Sequence, residues 1–549
     1  MMSLLLPRHL TKWIICLSLA GLASACAPVS QPTVELPPEG TLPSIETPAR
    51  QKDPLQTSVA SLESSPIQIA VQTEVSVKPS STGASPTSLA AGGTVSIPAA
   101  NNTPASPTPP AVLAAITPRP PAEPIFGIEL HDISEAGGLG LLTGAGGHWV
   151  RRNALKWSEV EYLPGQRSWQ NLSRLEAELE AASAAGLQTI LIVRSTPHFA
   201  RQSASSACGP VASEYFEAFA DFMAEAVSRY SQPPYNVRYW ELGNEPDVDP
   251  SLVSSDSVFG CWGDQSDPDY GGQHYGEMLK VVYPQVKAAN PDAQLLIGGL
   301  LLDCDPDNPP ETTPGSGKQK DCSSSRFLQG ILEAGGGAYF DAVSFHAYDY
   351  YAGELGLYGN SNWHSAWNTT GPALYAKTQF LTALLARYGW GDKPLLNTEV
   401  ALICASSPGV CASEEFMLTK AYYTAQANAS ALAAGLTANL WYSLQGWRDT
   451  GLVGSGMTPN IAYTAYAASL ERLSEAAYAG RLQPEDGLMG IAYDRQGTPG
   501  WIVWAWDGAA HSLALPQTPA RVFDVFGEPV EAASPLEIGV APVYLEWQP

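Results

Sequence analysis

Two glutamates stand at the ends of strand-like runs: Glu245 in WELGNEP (240–246) and Glu399 in PLLNTEV (394–400). A carboxylate at the lip of an apolar run is costly unless something uses it. Two carboxylates that face each other are the minimal equipment for cleaving a glycosidic bond. One protonates the leaving oxygen, and the other attacks or supports the anomeric carbon. Like charges at short range raise the pKa of one partner, which keeps it protonated near neutral pH and able to act as a general acid. This chemistry requires a fold that brings Glu245 and Glu399 together.

The pattern from Pro124 onward predicts such a fold. Apolar runs recur at IFGIEL (125–130), HWVRRNAL (148–155), LQTILIVR (187–194), NVRYWELG (236–243), AQLLIGGL (293–300), FDAVSFHAY (340–348), KPLLNTEV (393–400) and TANLWYSL (437–444). Most are followed by a helix-like stretch, at 172–186, 213–230, 275–290, 373–389, 416–435 and 460–480. Eight strand–helix units make a (β/α)8 barrel, expected over 123–481. Glu245 and Glu399, after the fourth and seventh strands, then project at one face, almost across its mouth. The texture changes near 482, where short alternating runs separated by turn residues predict a small antiparallel β-sandwich over 482–549.

The chain has 549 residues and a formal net charge of −25. The acidic balance argues against nucleic acid as a partner, because phosphate binding needs a positive field. A nucleotide-binding barrel is disfavoured as well: GAGGHW (144–149) is glycine-rich but leads into a strand, the wrong order for a phosphate loop. Arg8 and Lys12 followed by the apolar WIICLSLAGLA (13–23) read as an export signal over 1–25, too short for a permanent span. Ala23-Ser24-Ala25 fits a cleavage site, and Cys26 fits lipid attachment, which is the favoured reading. Membrane association is expected only through that anchor. Residues 26–122 are rich in Pro, Ser, Thr and Ala and are expected to be a disordered tether. The six cysteines beyond the tether suit disulfides in an exported chain: Cys304–Cys322 and Cys404–Cys411 by local spacing, leaving Cys208–Cys261. All six follow strands, so the bridges are expected to brace loops at the active face. No CxxC pair or histidine partner suggests a metal, and no cofactor is expected.

WELGNEP (240–246), FDAVSFHAY (340–348), PLLNTEV (394–400) and ANLWYSL (438–444) resemble the strand ends of retaining glycoside hydrolases of clan A. VRRNALKWSEVEYLPGQRSW (150–169) and GLQTILIVRSTPHFA (186–200) are similar to the pattern in family 39 and its relatives. The resemblance covers roughly 125–480, with a looser match in the β tail. It implies Glu245 as acid/base and Glu399 as nucleophile, at the separation of about 5–5.5 Å that gives retention. It implies Asn244 on the sugar 2-hydroxyl, and Arg151 and Tyr348 holding Glu399 ionised and aimed. His346 lines the mouth, and Trp441 is the floor beneath the sugar. Alternation sends only one of Arg151 and Arg152 inward; the other caps the outside. Where relatives often have Pro-x-Trp, this chain has TPHFA, so Phe199 takes the aromatic place and His198 is unusual. Glu129, His131 and Trp157 are further candidates for substrate contact.

The function these residues imply is an exported retaining β-glycosidase that acts on polysaccharides or oligosaccharides. The competing reading is a carbohydrate-binding surface lipoprotein of the same fold that does not cleave; the complete set Glu245, Glu399, Asn244 and Tyr348 weighs against it.

Overall fold

The computed structural model describes residues 123–548, apart from 204–208, 255–256, 258, 261, 364–370 and 483–486. The signal, the tether, Cys26 and the Cys208–Cys261 pair lie outside the described residues. All described residues fall within the compact unit Asn102–Pro549.

Eight parallel strands close on themselves: β1 (Phe126–Glu129), β2 (Trp149–Lys156), β3 (Gln188–Arg194), β4 (Tyr239–Asn244), β5 (Gln294–Leu300), β6 (Ala342–Tyr351), β7 (Leu395–Ile403) and β8 (Ala438–Trp441). The ring closes through β7 pairing with β6 and β8, and β8 with β1. Outside the ring lie α1 (Leu139–Gly144), α2 (Ser173–Ala184), α3 (Phe216–Tyr230), α4 (Gly272–Ala289), α5 (Phe327–Glu333), α6 (Ala373–Arg387), α7 (Glu414–Ala434) and α8 (Ile461–Leu473). The strands read as near-continuous apolar runs because both faces are covered. One face fills the barrel floor with Trp149, Ile190, Leu296, Ala342, Leu396 and Leu440. The other packs Val150, Leu191, Trp240, Ile297 and Val343 against the helices. Side chains alternate between these faces with period two, so the phase at the floor fixes what reaches the mouth.

The last helix stops at Leu473 rather than 480, and Ala476–Leu482 becomes β9, the first strand of a sheet. The apolar residues of 476–482 pair in register with β10 (Leu488–Arg495), and tertiary pairing overrides the helical pattern. The sheet continues through β11 (Thr498–Ala505), β13 (Arg521–Phe523), β14 (Pro529–Val530) and β16 (Val543–Glu546), in the order β9-β10-β11-β16-β13-β14. A two-stranded ribbon of β12 (His511–Leu513) and β15 (Leu536–Ile538) faces it. Leu488, Trp501, Val503 and Leu545 form a core on one side with Leu513 and Ile538 of the ribbon. Met489, Ile491, Ile502 and Trp504 on the other side join the barrel core. The sheet is therefore a second wall of the barrel's own core, and α7 between them is buried almost all round.

Two loops at the C-terminal end of the barrel carry disulfides, Cys304–Cys322 after β5 and Cys404–Cys411 after β7. Ser325 Oγ donates to the Cys304 carbonyl (2.7 Å) and Lys320 pairs with Asp303 (2.9 Å), which pins the longer loop at its base. Closing a loop of 18 residues is worth about 3 kcal/mol in the chain-entropy account. The double substitution Cys304→Ser/Cys322→Ser is expected to lower the urea midpoint accordingly; an unchanged midpoint would show that Ser325 and Lys320 suffice to hold the loop.

Candidate active site

Arg151 is the centre of the mouth. With Trp149 on the floor, period-two alternation on β2 turns Arg151 inward and Arg152 outward. Arg152 meets Glu178 on α2. The Arg151 guanidinium is fully buried. Its Nη1 donates to Glu129 Oε2 and to Glu399 Oε1, both at 2.5 Å. Its Nε and Nη2 donate to the two oxygens of Glu241 at 3.2 and 2.5 Å, and Nη2 also donates to Asn244 Oδ1 at 2.6 Å. All five guanidinium N–H groups are thus used, on residues from β1, β4 and β7.

Glu399 reaches this centre because β7 is bulged. Asn397 is level with Phe345 and Glu399 with His346, so Thr398 is one residue too many for the pairing. With Leu396 on the floor, strict alternation would turn Glu399 toward the helices; the bulge restores it to the mouth. With its amide nitrogen facing them, Asn397 donates to the carbonyls of Phe345 (3.1 Å) and Glu399 (3.0 Å) and ties the bulge. Tyr348, two residues beyond His346 on β6, donates its hydroxyl to Glu399 Oε2.

Glu245 follows β4 in a left-handed conformation, φ 50°, and its backbone N–H donates to the Gly299 carbonyl (2.9 Å). His346 stands between the two candidate carboxylates. Its Nδ1 lies 2.9 Å from Glu245 Oε1, and its Nε2 lies 3.3 Å from both Arg151 Nη2 and Glu399 Oε1. One oxygen of Glu245, one of Glu399 and a nitrogen of His346 lie within 4.8 Å of one another. Gly299 makes room for this: a Cβ there would sit 2.1 Å from His346 Nε2. Asp247 anchors the same turn by accepting from Leu301 and Leu302 N–H (2.9 and 2.8 Å).

The electrostatics separate the two glutamates. Burial, then the charges of Glu399 and Asp247, raise Glu245 well above the usual carboxylate range. Burial raises Glu399 too, to about 8 on balance with the Glu129 charge adding to it, while the Arg151 charge and the Tyr348 and Arg151 hydrogen bonds oppose the rise. Glu245 has no equally close cation, so the pair's proton belongs on Glu245. Burial, with Arg151 and Lys377 nearby, lowers His346 well below its ordinary value and keeps it neutral. Of the two neutral tautomers, the one with its proton on Nδ1 donates along the shorter contact, to Glu245, and leaves Nε2 bare beside the Arg151 guanidinium.

Two expected contacts need correction. Trp441 is buried in the core between strands and helices, with Nε1 donating to the Thr450 carbonyl (3.0 Å) and its ring on Tyr423 of α7. Ala438 and Leu440 take the inward positions on β8, so Trp441 faces out and the half-buried Tyr442 takes the mouth. The Tyr442 ring lies edge-on to Tyr348 (6.1 Å) and near the exposed His131 (6.3 Å). Phe199 packs on Trp157 and Tyr215, and among the described residues its ring contacts are made there. Trp157 is itself core, bonded to Glu161 (2.9 Å). Glu129 serves Arg151. Sequence reading missed Glu241, Tyr442 and Gly299. The signal for Glu241 was a charge in the inward phase of β4, between Trp240 and Leu242 of the outward phase.

Glu245, His346 and Glu399 also have the donor types of a metal site, but the Arg151 guanidinium already sits among them as the cation. A larger surface groove of about 950 Å³ lies between the α1–β2 loop at His148, α8 and the β10–β11 turn; its carboxylates are exposed, Glu471 beside Arg472 (3.3 Å) and Glu475 accepting from Gln496.

Removing Arg151 strands three buried carboxylates. Arg151→Met is expected to cost about 3–5 kcal/mol at neutral pH. Without the cation those carboxylates gain protons on folding, so the deficit grows as pH rises above their unfolded pKa and shrinks below it. Urea unfolding of both proteins between pH 4 and pH 8 checks this, and a deficit independent of pH would contradict it.

No protein-family model matches the chain, and no curated protein matches it. Its structure is similar to a family 39 glycoside hydrolase from Bacteroides cellulosilyticus WH2 (20 % identity, TM-score 0.57, covering 77 % of this chain and 80 % of that one). It is also similar to a family 30 endoxylanase from Clostridium papyrosolvens C71 (12 %, 0.52, covering 79 % and 98 %) and a family 39 β-xylosidase from Caulobacter crescentus (13 %, 0.50, covering 79 % and 98 %). At these identities the likeness establishes the fold: this chain is a (β/α)8 barrel with additional β-sheets, and its structural neighbours are glycoside hydrolases of families 39 and 30.

Proposed function

We propose that the protein is an exported, retaining β-glycosidase that hydrolyses O-glycosidic bonds of polysaccharides or oligosaccharides. The observation that carries this reading is the approach of Glu245 and Glu399 oxygens to within 4.8 Å, one carboxylate tied to an arginine and a tyrosine and the other to a neutral histidine. Carboxyl groups this close leave no room for a water between them and the sugar, which favours double displacement over inversion.

In the first step Glu399 attacks the anomeric carbon while Glu245 gives its proton to the leaving oxygen. In the second, Glu245 takes a proton from water, and that water displaces the sugar from Glu399. Arg151 and Tyr348 keep Glu399 ionised before attack and serve as its leaving-group support afterwards. The His346 Nδ1–H holds Glu245 in place through one oxygen and leaves the other for proton transfer. Arg151 occupies the Asn244 amide oxygen, so the amide nitrogen is directed to the sugar 2-hydroxyl. Tyr442 gives an apolar floor beneath the ring. The export signal and the disulfides favour a place outside the cytoplasm, and Cys26 favours a lipid anchor. Among the described residues no helix is long and apolar enough to cross a membrane.

The test is a panel of aryl β-glycosides with the parent, Glu399→Ala and Glu245→Ala. Both variants are expected to lose at least about 10³-fold in kcat, and azide is expected to restore Glu399→Ala with an α-glycosyl azide as product. Activity that survives Glu399→Ala would rule this assignment out. The pH profile of kcat/KM is expected to be bell-shaped, falling on the alkaline side as Glu245 loses its proton and on the acid side as Glu399 gains one. A Glu245→Gln variant that kept the alkaline limb would contradict the assignment of that limb.

A further inference from the structure

We propose that Arg194 is a specificity-determining residue that receives a carboxylate of the substrate, so that the sugar taken by this site is a uronic acid. This deepens the glycosidase reading above and rests on it.

Arg194 is the last residue of β3, at the same end of the barrel as Glu245 and Glu399. It is half-buried, and its described partners are neutral: Nε donates to Asn153 Oδ1, and Nη1 donates to Ser195 Oγ at 3.1 Å. No carboxylate lies within ion-pair distance of it among the described residues, although the chain carries a net charge of −25. Arg151 and Arg152, two and one residues before Asn153, are each matched to carboxylates. The acids that act on Arg194 through space, Glu159 and Glu129, are already committed to Lys156 and Arg151. Burial lowers its pKa, and the more distant Glu159 and Glu129 offset this only in part. A guanidinium has five N–H groups, and the described residues take two of them here. The remainder present the fork that recognises a carboxylate.

The surroundings hold this cation in place. Ser195 adopts a left-handed φ of 63°, a conformation that costs energy in a residue other than glycine and sets its hydroxyl on Arg194. Arg194 stands near Asn244, the residue that precedes Glu245: with Ser195, Thr196 and Gly243 they line a narrow space of about 30 Å³ whose other wall is apolar, from Trp157, Phe219 and Trp262. Arg201 on the same loop donates to the Thr196 carbonyl (2.9 Å), likewise with no carboxylate among the described residues. Among the described residues Arg194 and Arg201 are thus two cations beside β3 with no carboxylate in ion-pair range, in a strongly acidic chain.

The test uses the full chain and matched aryl glycosides that differ only at C6: β-D-glucuronide against β-D-glucoside, and β-D-galacturonide against β-D-galactoside. Calorimetric binding of glucuronic- and galacturonic-acid oligosaccharides and their neutral counterparts is measured alongside. One uronide is expected to be preferred over its neutral partner. Arg194→Met is expected to lower kcat/KM on that uronide by about a hundredfold while changing the neutral glycoside by less than about threefold, with Arg194→Lys in between. Cleavage of neutral glycosides with no uronide preference, or an equal loss on both series in Arg194→Met, overturns the proposal and leaves the glycosidase reading standing. Arg194-dependent binding of uronate oligosaccharides without any hydrolysis supports the proposal and overturns the hydrolase reading. Neither cleavage nor uronate binding overturns both.

Discussion

One buried guanidinium organises the mouth of this barrel. Arg151 spends all five of its N–H groups on Glu129, Glu241, Glu399 and Asn244, which come from three strands far apart in sequence. Three buried carboxylates cannot coexist without it, and a buried arginine cannot stay charged without them. Burial opposes the charge on Arg151, yet Glu241, Glu129 and Glu399 together hold it well above its ordinary value. The cluster is therefore both a fastening of the sheet and the setting of Glu399. In the proposed mechanism, a cation fixed on one carboxylate and not on the other divides two chemically identical side chains into two roles.

The backbone makes that division possible. The extra residue in β7 rotates Glu399 into the mouth, while the left-handed turn at Glu245 and Gly299 near the end of β5 let His346 stand between the carboxylates. Behind the bulge runs a ladder of buried amides within hydrogen-bond distance of one another: Asn397 to Asn439 (2.8 Å), Asn439 to Asn428 (3.1 Å), and Asn428 to Ser469 (2.7 Å). The ladder joins β7 and β8 to α7 and α8, the helices against which the C-terminal sheet packs. Deviations from ideal strand geometry concentrate at the site, as expected where local rules yield to function.

Much of this was legible from the sequence. Eight apolar runs with intervening helices indicated the barrel, and the strand-end positions of Glu245 and Glu399 indicated that these two carboxylates meet at its mouth. Alternation separated Arg151 from Arg152. The failures have physical causes. Trp441 was placed by its position in a motif, but Ala438 and Leu440 set the phase of β8, and only the pairing register reveals it. A bulge changes phase without any mark in composition, and in β7 it is what brings Glu399 to the mouth. Glu241 sat unnoticed in an apolar run because its partner, Arg151, is 90 residues away. The helix expected to reach 480 ended at Leu473 because Ala476–Leu482 finds a strand partner that local propensity does not see.

The central claim is that Glu399 is the group that takes the sugar. A 2-deoxy-2-fluoro glycoside with a good leaving group, matched to the fastest substrate, slows the second step and lets the glycosyl–enzyme accumulate. Proteolysis and mass spectrometry then locate the added mass. A single adduct on Glu399, within the peptide that spans β7, is the expected result. An adduct on Glu245 or elsewhere, or steady turnover with inversion and no adduct, would contradict the account.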